Sequence, residues 1–285
     1  MNKEIKFFRD IKKITRENRR IFSEVNKVFV TCQIIFFILD IRNPMGTWPS
    51  FLTQKDKYKS KKILIILNKC DLIPFNIAEN WIRVLSKHFL VFGFFCKDKN
   101  ENEKKKVLRV IRQIKKQFFP RKKTILAGVI GYPNVGKSSF INSLIGKKSL
   151  SESCIPGETK LWQFLKLSKN IFLIDSPGTI SGEEASGEWG ILKGTIKVEK
   201  TGEISKEILD TVHKIIGDSM KKKLKNFDQR KDLLLKGGKH NHTLNNYMLI
   251  QSFLSGNFPW FSPIPIRSKS KYKFINVYKW KYSNI

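Results

Sequence analysis

An eight-residue run at positions 131–138, GYPNVGKS, has the residue types and spacing of a phosphate-binding loop. It matches G-x-x-x-x-G-K-S and lies between an apolar segment and a helical pattern, the setting that such a loop requires. Its glycines would let consecutive backbone N–H groups surround a β-phosphate, and the following helix would add the positive end of its dipole. Lys137 would then place its charge on the β- and γ-phosphate oxygens, while Ser138 would offer a hydroxyl to Mg²⁺.

Two shorter motifs could complete a magnesium and γ-phosphate site. The sequence DSPG at 175–178 follows an apolar segment, so we expect Asp175 to be a second partner of Mg²⁺ and the Gly178 amide to sense the γ-phosphate. The sequence PGET at 156–159 puts the Thr159 hydroxyl where it could reach Mg²⁺ when a triphosphate orders its loop. By itself DSPG is only a good turn, but beside a phosphate loop the nucleotide interpretation is favoured.

A fourth motif, NKCD at 68–71, follows the apolar run Ile63–Leu67 and has the residues of a guanine reader. The Asp71 carboxylate could accept hydrogen bonds from both N1–H and the exocyclic N2–H of guanine, neither of which adenine offers, and such polar discrimination reaches about 10⁴-fold. Asn68 would support the loop, and the Lys69 stem would lie along the base. Four polar residues at a strand end could be an ordinary turn; the four motifs together favour a guanine nucleotide site.

Strands and helices must bring these motifs together. Apolar and β-branched runs predict strands at Val28–Leu39, Ile63–Leu67, Val91–Phe95, Thr124–Ile130, Leu161–Leu167 and Ile171–Ile174, the last two as a hairpin across Ser168–Asn170. Helical patterns cover residues 1–24, Ile77–His88, Lys104–Phe119 and the segment from Ser138 to Ile145. Strands that alternate with helices predict an α/β fold with a mostly parallel sheet and flanking helices. Beyond about residue 200 the pattern turns mainly helical, and it closes with an aromatic, basic tail at 253–280.

The charge of the chain points to a polyanionic partner. Lys and Arg total 55 against 24 Asp and Glu, a formal net charge of +31, and like charge of this size favours binding to nucleic acid or an anionic membrane surface. The longest apolar stretch, Ile34–Ile41, is broken by Asp40 and is far shorter than the roughly 20 residues of a membrane span. Lysine-rich composition could also reflect A/T-rich codons, which weakens the argument without removing it.

The order of the motifs is unusual. Ordinary small GTPases carry the phosphate loop first and NKxD late, whereas here NKCD precedes the phosphate loop by about 60 residues. The sequence therefore resembles the circularly permuted GTPases, a rearrangement that folds tolerate because domain termini often lie close together. The segments DIRNPMG at 40–46, IPGETKLWQ at 155–163, ILKG at 191–194 and LKGG at 235–238 are similar to the nucleolar GTP-binding protein 2 family.

This resemblance implies a circularly permuted P-loop GTPase domain at 25–200, a basic N-terminal helical extension at 1–24 and a small, mainly helical C-terminal domain at 201–285. It implies GTP or GDP and Mg²⁺ as cofactors. Nucleotide-binding residues are expected at Asn68, Lys69, Asp71, Gly131, Asn134, Val135, Gly136, Lys137, Ser138, Ser139, Asp175, Pro177 and Gly178. Catalysis would use Lys137, Thr159, Gly178 and Asn134, and Mg²⁺ would contact Ser138, Thr159 and Asp175.

Slow intrinsic hydrolysis is expected, because Thr179 and Ile180 stand where many GTPases carry a water-orienting glutamine. Asn134 resembles the asparagine that holds K⁺ in potassium-activated GTPases; it could be only a turn former, but the ion interpretation is favoured. The guanine-facing loop expected near Phe94–Lys97 is degenerate, with Cys96 as a candidate for the amide that meets guanine O6.

As a member of this family the chain would assemble the large ribosomal subunit in the nucleolus and nucleus. Its partners would be pre-ribosomal particles, rRNA and ribosomal proteins, with the basic runs at 104–123 and 221–225 on RNA phosphates. No membrane or sequence-specific DNA binding is expected, and the free chain should be a monomer. Two alternatives stay open: an rRNA-binding scaffold with vestigial hydrolysis, or a related permuted GTPase in late cytoplasmic maturation.

Overall fold

A computed structural model of the protein describes residues 23–48, 60–94, 101–146, 163–176, 204–217 and 242–264. Six strands form one sheet, namely β1 (Ile34–Asp40), β2 (Lys62–Asn68), β3 (Leu90–Gly93), β4 (Ile125–Ile130), β5 (Gln163–Ser168) and β6 (Ile171–Asp175). The helices in these ranges are α1 (23–31), α2 (Phe75–Leu85), α3 (Glu101–Phe118), α4 (Lys137–Ile145), α5 (Lys206–Ile216) and α6 (His242–Ser255), with a 3-10 turn at Cys70–Leu72.

The strand order in the sheet is β3-β2-β1-β4-β6-β5. Neighbouring strands are parallel from β3 to β6, and β5 pairs with β6 as an antiparallel hairpin. Both the predicted α/β sheet and the predicted hairpin are confirmed. Parallel strands need crossover connections, and the helices that make them cover both faces of the sheet.

Strand β1 explains why the core has two layers. All seven of its residues are buried, and successive side chains of a strand point to opposite faces. Ile34, Phe36 and Ile38 pack in one hydrophobic cluster with α3 and α4. Ile35, Phe37 and Leu39 pack in a second cluster with α1 and α2. A central strand that is buried at every position, and apolar at all but its last residue, is therefore what this three-layer arrangement requires.

The predicted strand at Val28–Leu39 is wrong in its first part. Residues 23–31 form helix α1, and β1 begins only at Ile34. Val25, Val28 and Phe29 are buried while Val30 is 78% exposed, which is the pattern of one helical face. A continuous apolar run cannot distinguish a strand from a buried helix turn. Within the described ranges, the other predicted elements agree with the structure to within about three residues at each end, and the helix predicted at residues 1–24 lies outside these ranges except for residues 23 and 24.

The two C-terminal helices have a hydrophobic core of their own. Ile208, Val212 and Ile216 of α5 pack against Leu249 and other apolar residues of α6 and the segment that follows it. The Ser205 hydroxyl caps α5 by accepting from the Ile208 amide at 3.4 Å. Within the described ranges, no helix has both the length and the apolar character of a membrane crossing.

Candidate nucleotide-binding site

The sheet brings three of the predicted motifs to one edge. The phosphate loop follows β4, Asp175 ends β6, and Asn68 ends β2. Strand β4 pairs in parallel with β6, and β1 lies between β4 and β2, so these strands end at the same edge. Ligands of open α/β sheets bind outside the carboxyl ends of the strands. Motifs that are 107 residues apart, from 68 to 175, therefore meet in space.

The phosphate loop has the backbone geometry that its glycines and asparagine suggest. Gly136 has φ +93° and Asn134 has φ +59°, both in the left-handed region that favours these residues. A side chain at Gly131 would collide with the Ile38 carbonyl, and one at Gly136 with the Asn68 side chain. The loop then enters α4 at Lys137, so the N-terminus of this helix points into the site.

Lys137 is buried in the loop that it follows. Its Nζ donates to the carbonyl oxygens of Gly131 at 3.0 Å and Tyr132 at 2.8 Å. Burial lowers the pKa of this ammonium to about 8, an effect that the nearby Asp175 charge partly opposes. A cation held in a poorly solvated position interacts strongly with an anionic ligand, because water screens it little.

Asp175 is a fully buried carboxylate whose charge the protein hardly compensates. Neither of its oxygens has a hydrogen-bond partner of good geometry among the described residues. Burial raises the pKa of Asp175 to about 6, although Lys137 and the Ser176 amide partly offset this rise. The neighbouring Ser176 hydroxyl donates instead to the Val129 carbonyl at 2.7 Å. An unsatisfied buried carboxylate fits a bound cation, and oxygen ligands suit Mg²⁺.

Ser138 and Ser139 lie in the first turn of α4 and are half-buried. Ser138 follows Lys137 directly, as the predicted magnesium site requires. Thr159, Pro177, Gly178, Cys96 and the 221–225 run lie outside the described residues, so their predicted roles stay predictions. The potassium role of Asn134 also stays a prediction; its left-handed backbone fits a turn former and an ion ligand equally.

Asn68 joins the guanine motif to the phosphate loop. Its Nδ2 donates to the Val135 carbonyl at 2.8 Å, with a longer contact to the Gly136 carbonyl at 3.5 Å. Lys69 takes up a left-handed backbone conformation with φ +66°. Asp71 lies exposed in the 3-10 turn at the same edge of the sheet. Asn68 thus bonds to the phosphate loop, while its predicted support of the guanine motif stays a prediction.

Asp40 and Arg42, which lie at this edge, were not predicted as functional residues from the sequence. The Asp40 carboxylate accepts from Lys69 Nζ at 2.9 Å and from Arg42 Nη2 at 2.7 Å, both at Oδ2. Burial alone would raise the pKa of Asp40, but the Lys69 and Arg42 charges lower it well below its usual range. The signal was present in the sequence, since an acidic residue that ends a wholly apolar strand needs a cationic partner.

The aromatic end of the guanine-facing loop lies in the core. Phe94 is buried, and its backbone exchanges hydrogen bonds with Leu67 and Cys70, at 2.8 Å and 3.4 Å. The degenerate loop predicted at 94–97 is therefore described only at its first residue, which packs edge-on against Phe140. Contacts to guanine O6 stay a prediction.

Comparisons with known proteins agree with this geometry. The family model described as "50S ribosome-binding GTPase" matches residues 126–237. A solved structure titled as GDP-bound TM YlqF has a TM-score of 0.59 at 19% identity, over 84% of this chain and 96% of that one. The mostly parallel sheet, the motif order and these matches define the class by its fold: the chain has the fold of a circularly permuted GTPase domain.

Within this class the resemblance to nucleolar GTP-binding protein 2 is confirmed. The protein of that name from Yarrowia lipolytica is 33% identical over 264 residues, or 87% of this chain and 52% of its own length. "Nuclear/nucleolar GTPase 2" of Arabidopsis thaliana is 33% identical over 276 residues, or 90% of this chain and 48% of its own. The chain spans about half the length of the curated relatives it matches.

Proposed function

We propose that this chain binds GTP with Mg²⁺ and hydrolyses it as an assembly factor for the large ribosomal subunit, acting in the nucleolus and nucleus. The observation that carries this proposal is the meeting of NKCD, Lys137 and Asp175 at one edge of the sheet. The relatives' names support the compartment and the nucleotide. The name of the matching family supports the ribosome as the partner.

The residues of the site suggest a division of labour. Asp71 would select guanine, and Lys137 with the loop amides would hold the phosphates. Ser138 and Asp175 would hold Mg²⁺, which supplies positive charge to the phosphate oxygens when bound. Thr159 and Gly178 would respond to the γ-phosphate. Thr179 and Ile180 cannot orient water as glutamine does, so the chain would hydrolyse GTP slowly until the pre-ribosome completes the site.

Helix α3 offers a surface for rRNA. Val107, Ile111 and Ile114 pack on the sheet, while the opposite face is basic. Lys105, Arg109, Arg112 and Lys116 are exposed there at helical spacing and line a groove of about 490 Å³. Basic side chains that track a phosphate backbone release counterions, so their binding weakens as salt rises.

Single-turnover hydrolysis of GTP would test the enzymatic part. We expect a slow rate for the free chain and a marked acceleration when large-subunit precursor particles are added, because the particle would supply the missing catalytic group. Binding of GTP and particles without acceleration would favour an rRNA-binding scaffold with vestigial hydrolysis. Acceleration only by late cytoplasmic particles would favour the other alternative.

The salt dependence of rRNA binding would test the surface. Replacing Arg109 and Arg112 by glutamine should weaken binding and reduce the log–log salt slope by about 1.5, since each phosphate contact contributes roughly 0.7–0.9. Arg83→Gln with Lys87→Gln removes the same charge from an exposed region at the end of α2 and serves as the control. Equal slopes for the two double variants would contradict a role of the α3 face.

A further inference from the structure

Arg42 is a buried arginine that connects the guanine motif to helix α6. It is 2% exposed, and its guanidinium grips Asp40 with two parallel hydrogen bonds, Nε to Oδ1 at 3.0 Å and Nη2 to Oδ2 at 2.7 Å. The same group donates to the carbonyls of Phe253 at 3.3 Å and Leu254 at 3.0 Å. These carbonyls lie in the last turn of α6, where helix carbonyls have no partner within the helix. Arg42 therefore caps α6.

Further contacts hold the end of α6 at this place. The Arg42 guanidinium lies 4.7 Å from the ring centre of Trp260, and Trp260 stacks on Phe253 at 4.8 Å. The Ser262 amide donates to the Arg42 carbonyl at 2.6 Å. At Gly256, with φ +87°, a side chain would collide with Leu72 of the turn that carries Asp71. The α6 end thus touches both Arg42, two residues after β1, and the turn that carries Asp71.

On its other side, Asp40 holds the guanine motif. Its Oδ2 accepts from both Arg42 Nη2 and Lys69 Nζ, so one buried carboxylate is shared by the cation that caps α6 and the cation that would lie along guanine. A buried carboxylate that loses one of two cations is poorly compensated. If Arg42 leaves α6, the energy of the Asp40–Lys69 contact therefore changes. If Lys69 moves, the energy of the Asp40–Arg42 contact changes.

We propose that Asp40 and Arg42 are positioning residues that couple guanine nucleotide binding to the seating of α5 and α6 on the GTPase domain. The coupling rests on the proposed guanine site. A seated α6 fixes Arg42 and Asp40, and Asp40 then holds Lys69 in the orientation that the base needs. By linkage, a bound base must favour the seated α6 by the same factor. Because Lys69, Asp40 and Arg42 connect α6 to the base and not to the phosphates, GDP and GTP should stabilise the seated α6 equally.

Hydrogen exchange of α6 amides in the full chain, with and without saturating GDP, would test the coupling. In the wild type GDP should slow exchange at residues 246–255 by about 5–50-fold, within the usual range of coupling between sites. A nonhydrolysable GTP analogue should slow it equally. Arg42→Gln should abolish this protection and weaken GDP binding by about tenfold, while Arg83→Gln, an exposed arginine of α2, should change neither.

A second variant avoids the buried charge. Trp260→Leu removes the stacking on Arg42 from the α6 side without touching Asp40 or Lys69, and it should weaken GDP binding by about three- to fivefold. Failure of the wild type to bind GDP would overturn the proposed guanine site. Normal GDP binding with unchanged α6 exchange, or wild-type affinity in Trp260→Leu, would overturn the coupling alone. Protection by the GTP analogue but not by GDP would also overturn it.

Discussion

The two ends of the candidate site differ in how the protein satisfies their charges. At the base end, Asp40 has two cationic partners and Asn68 is bonded to the phosphate loop. At the phosphate end, Asp175 has no hydrogen-bond partner among the described residues. Burial raises the pKa of Asp175 and lowers the pKa of Lys137, so it disfavours the charged form of each residue. The base end is built before any ligand arrives, whereas the phosphate end holds charges that a ligand would satisfy.

This difference teaches where binding energy can come from. A preorganised base end discriminates between bases because a wrong base leaves its polar groups unpaired. A phosphate end with poorly solvated, incompletely compensated charges gains most when phosphate and Mg²⁺ bind together, because phosphate supplies negative charge to Lys137 and Mg²⁺ supplies positive charge to Asp175. Specificity and affinity would thus be located at opposite ends of one sheet edge.

The strongest test of the base end is a change of base preference. Asp71→Asn should weaken GTP binding by about 10³-fold and strengthen binding of xanthosine triphosphate, because an amide can donate to the xanthine C2 carbonyl and accept from N1–H. Competition binding with the two nucleotides measures the ratio. Asp210→Asn, an exposed residue of α5 with the same charge change, is the control. An unchanged ratio would remove Asp71 from the base end.

The stability of the nucleotide-free chain should reveal the penalty at Asp175. Its pKa is raised from 3.8 to about 6 in the folded state, so the folded protein loses stability as pH rises through that window. Asp175→Asn avoids this loss and should be favoured by up to about 3 kcal/mol more at pH 7 than at pH 4. Urea unfolding at both pH values in magnesium-free buffer measures the difference. A pH-independent difference would contradict the uncompensated charge.

Lys137 carries the positive charge of the phosphate end. Lys137→Ala should weaken GTP and GDP binding by about 100-fold, or about 2.7 kcal/mol, because a buried ammonium makes strong charge-assisted bonds. Titration with labelled nucleotide measures the loss, and Lys87→Ala supplies an exposed lysine as the control. A loss below threefold would show that the phosphate end does not depend on this cation.

The smallest expected effect concerns Asn134. Potassium should raise GTP hydrolysis several-fold over sodium, and Asn134→Ala should abolish the difference. Because φ is +59° at this position, alanine also strains the backbone by about 1 kcal/mol. Asn134→Gly removes the side chain without this strain and separates the two causes. Equal rates in the two salts for the wild type would assign Asn134 to turn formation alone.

Much of the fold could be predicted from the sequence because its strands are unusually apolar. Strands as apolar as Ile63–Leu67 and Thr124–Ile130 must be buried on both faces, which predicts a sheet with helices on either side. The spacing of glycine and lysine at 131–138 predicts the phosphate-binding loop. The same apolar character led to the wrong prediction at the end of α1. Val28 and Phe29 were predicted to be in a strand, because either a helix or a strand would bury them. A run of four apolar residues is too short to distinguish the 3.6-residue period of a helix from the two-residue period of a strand.

The parts of the site that escaped prediction depend on contacts between distant residues. The sequence indicates that Asp40 ends a buried strand and needs a cationic partner, but not that Lys69 and Arg42 are its partners, and the carbonyl partners of Arg42 lie about 210 residues later. Trp260, which the sequence shows only as part of an aromatic, basic tail, packs on Phe253 and Arg42. Such long-range pairs leave no periodic signal in the sequence.

The hydrogen bond from Asn68 to the Val135 carbonyl has a consequence for synthesis on the ribosome. The two residues are 67 positions apart in the chain. Strand β4, which pairs with β1, is also synthesised after Asn68. At about 5–20 residues per second, the guanine-reading half emerges roughly 3–13 seconds before the loop that supports it. During that interval β1 has one unpaired edge, and a nascent chain at this stage presents a long apolar strand to whatever surrounds the exit tunnel.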